Sequence, residues 1–195
     1  MAKLSGATCT GVDINLHGIE AAKHWAEREG LASVVSFDVV DAGRRLPFPD
    51  ESFDVVFCND AINHLPDRLS LLQDWHRILR PGGRVLFTDP IVVTGQLSNE
   101  EIRVRSSIGF FLFTPLGHND HLLKKAGFTV LQVRDVTDAV ASVSRRWQDA
   151  RAKRRERLTA IEGNEGFEGL QRFLSAVYVL ASERRLSRYM YLAEK

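Results

Sequence analysis

The run Phe53-Asp54-Val55-Val56-Phe57-Cys58, with its counterpart Arg84-Val85-Leu86-Phe87-Thr88 one helix later, decides the fold. Both runs are apolar almost throughout. That suits strands buried on both faces of a parallel sheet better than half-exposed strands, which alternate. Between them Pro66-Asp67 opens a helix with Leu71, Leu72, Trp75, Ile78 and Leu79 on one side, and Arg80-Pro81-Gly82-Gly83 ends it. The same order stands upstream. Residues 8–12 read as a short strand ending at Asp13. Ile19, Ala22, Trp25 and Ala26 then give a helix one apolar face, Gly30 stops it, and Val34 to Phe37 is the next strand. Strands alternating with helices at this spacing mean an α/β domain with a parallel sheet.

Beyond Asp89 the alternation loosens. Residues 91–126 hold Gly109-Phe110-Phe111-Leu112-Phe113 among polar residues and read as a lid or substrate region, closing on a short helix from His118 to Ala126. The phenylalanines suit either an apolar wall over a ligand or a helix buried on the sheet. Residues 127–195 supply a strand from Phe128 to Val136 and a last strand at Tyr189 to Ala193. They flank a helical insertion, 139–188, broken near Gly163-Asn164-Glu165-Gly166. No repeat or linker divides the chain, so residues 1–195 are expected to form a single domain.

Composition excludes other classes. Twenty-six Lys and Arg stand against 25 Asp and Glu, for a net charge of +1, which argues against a dedicated nucleic-acid binder. No apolar run approaches the ~18 residues that cross a bilayer, so no membrane span is expected. Cys9 and Cys58 make neither a disulfide framework nor a metal spacing, and both fall in apolar strands, where a thiol is inert packing. A reducing cytoplasm is the default compartment for such a chain. Arg145, Arg146 and the basic residues of 151–157 read as a solvated helix face, with an acidic partner as the sharper alternative.

Four motifs run in order: Gly-Val-Asp-Ile-Asn (11–15); Asp-Ala (41–42) followed by Leu-Pro-Phe-Pro-Asp-Glu-Ser-Phe-Asp (46–54); Asn-Asp-Ala-Ile-Asn-His (59–64); and Leu-Arg-Pro-Gly-Gly (79–83). Together they resemble the class I S-adenosylmethionine-dependent methyltransferases. The third motif is most similar to the small-molecule enzymes that act on glycine derivatives or phosphoethanolamine. The resemblance implies a Rossmann-like sheet, mostly parallel with an antiparallel last strand. It also implies S-adenosyl-L-methionine as cofactor and a small-molecule acceptor. Residues 1–90 would form part of the cofactor-binding half.

An acid at the carboxyl end of a parallel strand lies where such sheets bind nucleotides and can accept from ribose hydroxyls. Asp13 has that place and is read first as a ribose ligand, with the N-cap of the next helix as the plainer alternative. The resemblance puts Ile14 against the adenine, the Asp41 carboxylate on the adenine amino group and the Ala42 N–H on a ring nitrogen. Asp41 also suits a plain turn. Asn59 and Asp60 would stand near the methionine end of the cofactor. His64 is the catalytic candidate, because an imidazole titrates near neutral pH and can take the acceptor's proton. No metal set is needed, since in-line alignment and exclusion of water carry most of methyl transfer.

The family's Gly-rich turn, with the strand before it and the helix after it, has no counterpart upstream of Asp13. The first strand and helix are therefore expected to be absent from residues 1–195 and to come from a missing N-terminal segment or a protein partner. The alternative is a non-catalytic methyltransferase-like subunit that stabilises or directs a partner enzyme.

Overall fold

The structure is a computed structural model, and it describes residues 2–195. They fall into two compact units, Met1–Phe48 and Pro49–Lys195. The first holds a one-turn helix α1 (Ala2–Ser5), strand β1 (Cys9–Asp13), helix α2 (Leu16–Arg28) and strand β2 (Val35–Val39). β1 and β2 pair in parallel, Cys9 opposite Val35 through Asp13 opposite Val39. Gly11 faces Phe37 across that ladder. A Cβ there would come within 2.6 Å of the Phe37 ring, so the ring lies directly over the glycine.

The N-cap of α2 is Asn15, whose Oδ1 accepts from the Gly18 N–H at 3.1 Å. Gly30 takes the left-handed φ of +69° that ends helices, and the Leu31 N–H closes back on the Ala26 carbonyl at 2.8 Å. Ile19 and Ala26 are buried, whereas Trp25 is 58% exposed and carries the Arg28 guanidinium 5.1 Å from its ring centroid. At 100° per residue, Ala26 returns to within 20° of Ile19 while Trp25 stands about 120° away, on the helix flank. The expected apolar face is narrower than its sequence spacing suggests.

In the second unit the strand order is β3–β4–β7–β6, with the two-residue β5 (Thr114–Pro115) on β4. β3 (Phe53–Asn59) and β4 (Leu79–Val93) are parallel, in regular register from Val55 opposite Arg84 to Asn59 opposite Thr88. β7 (Leu186–Glu194) runs antiparallel to both β4 and β6 (Thr129–Asp135). The mostly parallel sheet with an antiparallel last strand is therefore present. β3 has a hydrogen-bonded neighbour on one side only among the described residues, and Val55 and Phe57 are half exposed.

Helix α3 (Arg68–Ile78) is capped by Asp67, which accepts from the Ser70 N–H at 3.0 Å, and it buries Leu71, Leu72, Trp75 and Ile78. α3 ends at Ile78, and within β4 Gly83 is obligatory, because a Cβ would meet the Arg80 carbonyl at 2.7 Å. Phe87 and Tyr191 stack at 4.8 Å in the core, with Trp75 6.0 Å from Phe87. A second cluster joins Ile91, Leu180 and Leu186, and Phe111 and Phe113 pack against it.

The lid region contains helix α4 (Asn99–Arg105), closed by a capping box between Ser98 and Glu101, and α5 (His118–Lys125) follows it. The insertion is a pair of helices, α6 (Thr137–Ala152) and α7 (Arg155–Ser182). The first break comes at Lys153-Arg154, ten residues before the expected one. At the expected place, Gly163 kinks α7 with φ 75° and ψ 163°. Most of the basic run, Arg145, Arg146, Lys153, Arg154 and Arg157, is exposed, and two of its arginines pair within this hairpin. Arg151 binds Glu162 at 2.5 Å, Arg155 binds Glu168, and both guanidinium groups lie over Phe167. No helix among the described residues is long and apolar enough to cross a membrane.

Candidate functional site

The candidate residues of the first unit lie at the carboxyl ends of its two parallel strands. Asp13 ends β1 and is exposed, and its Oδ1 accepts from the Asn15 N–H at 2.8 Å. It therefore shapes the turn into α2, but the capping role belongs to Asn15. Ile14, next in the chain, is 68% exposed and is not core packing. An exposed carboxylate beside an exposed aliphatic side chain offers acceptors for hydroxyl groups next to an apolar surface for a ring. Asp41 and Ala42 follow β2. Asp41 accepts from the Gly43 N–H at 2.9 Å and pairs with Arg44 at 3.2 Å, so it is also a working turn residue.

In the second unit Asn59 ends β3, and Asp60 follows it with a left-handed φ of 55°. A non-glycine residue held there is strained unless its surroundings fix it. Here they do. Asp60 N–H donates to Thr88 Oγ1 at 3.0 Å, and the Thr88 hydroxyl donates back to Asp60 Oδ1 at 2.6 Å. Arg188, from the antiparallel strand β7, spans the pair. Its Nε reaches Asp60 Oδ1 at 2.9 Å and its Nη2 reaches Asn59 Oδ1 at 2.8 Å. Thr88 and Arg188 carry no motif. Thr88 is visible in sequence only as the end of a strand, and Arg188 gives no signal at all.

His64 ends the short 3-10 turn Ile62–His64 and is exposed. Its Nδ1 lies 2.6 Å from the Phe110 carbonyl, and its ring centroid 4.8 Å from that of Phe111. A carbonyl can only accept, so Nδ1 bears the hydrogen and, in the neutral ring, Nε2 keeps the lone pair. Asn63 Nδ2 stands 3.3 Å from Nε2. Asn63 itself is buried, and its Oδ1 has no hydrogen-bond partner among the described residues.

Beneath the lid lies a closed polar network. Arg68 donates to Asp89 at 2.5 Å, to Asn119 Oδ1 at 2.8 Å and to the Leu112 carbonyl at 3.1 Å. Asn119 donates to Asp89 at 2.9 Å, and the Leu112 N–H to the Asn63 carbonyl at 2.9 Å. The lid backbone is thus tied at Phe110 to His64 and at Leu112 to both Asn63 and Arg68. Cys58 is not a nucleophile in this setting, since burial pushes its thiol up. No group of three or more His, Cys, Asp or Glu among the described residues is arranged to hold a metal ion.

Residues 1–87 match the family model described as a methyltransferase domain. The methyltransferase GfsG of Streptomyces halstedii is 35% identical over 144 residues, covering 71% of this chain and 50% of that protein. Phosphoethanolamine N-methyltransferase 2 of Haemonchus contortus, solved with phosphomonomethylethanolamine and S-adenosylhomocysteine, superposes with a TM-score of 0.87. It is 25% identical, and the match covers 100% of this chain and 45% of that one. The cyclopropane synthase MmaA2 of Mycobacterium tuberculosis reaches a TM-score of 0.90 at 15% identity, over 100% of this chain and 72% of that one, and shows the fold alone. The chain spans half the length of the Streptomyces relative.

Proposed function

We propose that this chain is a class I S-adenosylmethionine-dependent methyltransferase that binds S-adenosyl-L-methionine and directs its methyl group to a small-molecule acceptor. The observation that carries the proposal is positional. In both parallel ladders the candidate side chains stand just beyond the carboxyl ends: Asp13, Ile14, Asp41 and Ala42 after β1 and β2, Asn59 and Asp60 after β3. Sheets of this kind bind nucleotides at that end.

The donor set suits the cofactor. The exposed Asp13 carboxylate would hold ribose hydroxyls and Ile14 would cover the adenine, with Asp41 and the Ala42 N–H at the adenine edge. Asn59 and Asp60, held by Arg188 and Thr88, would bound the methionine end. The bound cofactor supplies an electrophilic methyl group. His64, whose Nδ1–H is held by the Phe110 carbonyl, would take the proton the acceptor loses on Nε2, in place of the Asn63 amide that faces it. The lid, tied down at Phe110 and Leu112, excludes water.

The free edges of β1 and β3 would be filled by a strand and glycine-rich loop supplied by a further segment of polypeptide or by a partner chain. The half-exposed Val55 and Phe57 on β3 support that completion.

Calorimetric titration with S-adenosylhomocysteine tests the proposal. Binding is expected to weaken by about 10–100-fold in Asp13→Ala, the worth of hydrogen bonds to a charged group. His64→Ala is expected to keep cofactor affinity and lose turnover. Equal affinity in Asp13→Ala would overturn the ribose assignment. No binding even with the completing segment present would overturn the function.

A further inference from the structure

Asn63 stands directly before the proposed base and is 1% exposed. Its carbonyl accepts from the Leu112 N–H at 2.9 Å, which pins its backbone to the lid segment. Its side chain is only half answered. The amide nitrogen lies 3.3 Å from His64 Nε2, whereas Oδ1 is buried without a hydrogen-bond partner among the described residues. A buried polar atom left open costs stability, so an amide kept in this position calls for a second use of its oxygen.

The ring beside it dictates which end of the amide it needs. The Phe110 carbonyl lies 2.6 Å from Nδ1 and can only accept, so Nδ1 bears its hydrogen whether the ring is neutral or charged. In the neutral ring Nε2 presents a lone pair, and a donor must face it. Asn63 Nδ2 is that donor, which leaves Oδ1 open. In the imidazolium Nε2 carries a hydrogen as well, and an acceptor must face it. The open Oδ1 belongs to the same amide. The two ends of an amide have nearly the same shape and its terminal torsion is roughly two-fold, so a half-turn exchanges them with the backbone unmoved. Among the described residues the ring makes these two hydrogen bonds and no ion pair. Phe111 lies 4.8 Å from it by ring centroids, and the Arg105 guanidinium against Phe111 can only donate.

We propose that Asn63 is a positioning residue for His64. Its amide matches both proton states of the ring, donating from Nδ2 to the neutral imidazole and accepting at Oδ1 from the imidazolium. The assignment rests on the methyl-transfer reading above. In that reaction the acceptor takes the amide's place at Nε2 and gives Nε2 a proton. It keeps the electron pair that bonds the methyl carbon, while the cofactor sulfur keeps the pair of the broken bond. When the methylated product leaves, the amide returns with Oδ1 toward Nε2–H. The exposed ring then passes its proton to water, and the amide turns back. A neutral amide serves this cycle where a carboxylate does not, because a carboxylate at position 63 would hold the proton on Nε2.

The test uses the full chain labelled with nitrogen-15 in histidine and asparagine, free of cofactor and acceptor, so that it reads the amide and not the reaction. The His64 ring nitrogens report the proton state. Nuclear Overhauser contacts between the Asn63 amide protons and the ring's carbon-bound protons report which end of the amide faces it. Those contacts are expected while the ring is neutral and are expected to vanish as it charges, with the same midpoint. In Asn63→Asp the ring should keep its second proton to a pH higher by about one unit or more, the effect of an adjacent opposite charge. The acid limb of turnover should move with it. Contacts that stay the same throughout the titration, present or absent, overturn the proposal, and this result needs no variant to fold. So does a folded Asn63→Asp whose ring titrates as in the wild type. A titration with S-adenosylhomocysteine, with the completing segment present, separates this role from the methyl-transfer reading. Cofactor binding with an amide that does not turn removes only the role of Asn63. An amide that turns without cofactor binding removes only the methyl-transfer reading.

Discussion

Replacing Asp89 by Asn tests how the lid is held. Asp89 is fully buried and accepts from Arg68 Nη1 at 2.5 Å, from Asn119 at 2.9 Å and from the Ile91 N–H at 3.2 Å. Asp89→Asn keeps the shape and removes the charge, leaving the Arg68 guanidinium, itself 5% exposed, without a counter-ion. Removing one member of a buried pair costs about 3–5 kcal/mol. For a chain of this size each kcal/mol lowers the melting temperature by roughly 2–4 °C, so a fall of about 6–20 °C is expected. Urea denaturation followed by tryptophan fluorescence is the assay. Trp75 is buried against Phe87, whereas Trp25 and Trp147 are exposed, so the signal change on unfolding is dominated by the second unit. The double variant Arg68→Met, Asp89→Leu is expected to recover most of the loss, because a buried ion pair adds little over apolar packing once both charges are gone. It should nevertheless leave the lid looser, since the bond from Arg68 to the Leu112 carbonyl goes with it. A cost below about 1 kcal/mol for Asp89→Asn, or a double variant as unstable as the sum of its parts, would refute the network as described.

Glu101 sets an acid limit. Its bonds to Arg185 and to the Ser98 cap hold its carboxyl down to about 2, below the usual carboxylate range. A depressed carboxyl stabilises the fold fully above its unfolded value and loses that contribution as pH falls toward the folded one. Thermal midpoints should therefore drop between about pH 5 and pH 2 in the wild type, and this part of the slope should be missing in Glu101→Gln. Gly163→Ala is expected to cost about 1–3 kcal/mol by denaturation, because φ 75° with ψ 163° is a region only glycine occupies without strain. Open space surrounds a Cβ there, so a neutral result would mean that the kink straightens freely. Arg188→Met should cost about 1.5–3 kcal/mol, the worth of its charged hydrogen bonds to Asp60 and Asn59. Arg188→Lys should restore less than half, since an ammonium cannot span both oxygens as the guanidinium does. Full restoration by Lys would reduce the interaction to a point charge.

Where periodicity and punctuation agree, the chain is transparent. The apolar runs at 53–58 and 84–88 are paired strands and Gly30 stops α2, whereas α3 ends at Ile78, before Arg80-Pro81-Gly82-Gly83, which belong to β4. The strands and the stop each follow from one local rule: burial pattern or left-handed φ. The departures arise where a local rule ranks residues it cannot rank. Trp25 shares an apolar list with Ile19 and Ala26 but stands on another side of the cylinder. The first break in the helical insertion falls at Lys153-Arg154, residues with no breaking signal, where Arg151 of α6 reaches Glu162 of α7 across the turn. That contact is long-range, and no window of α6 alone contains it.

At the site the same division holds between residue type and pairing state. The motif Asn-Asp-Ala-Ile-Asn-His marks 59–64 from sequence, but not that Asp60 is already neutralised by Arg188, 128 residues away. Nor does it mark that Asn63 has an unanswered oxygen. Twenty-six basic residues look alike in composition. They become different only when the fold assigns carboxylates to some and not to others. Asp60 and Asp89 are each committed to an arginine, whereas the buried Nε and Nη1 of Arg105 have no hydrogen-bond partner among the described residues. Which charges are closed in pairs is a property no single position in the sequence carries.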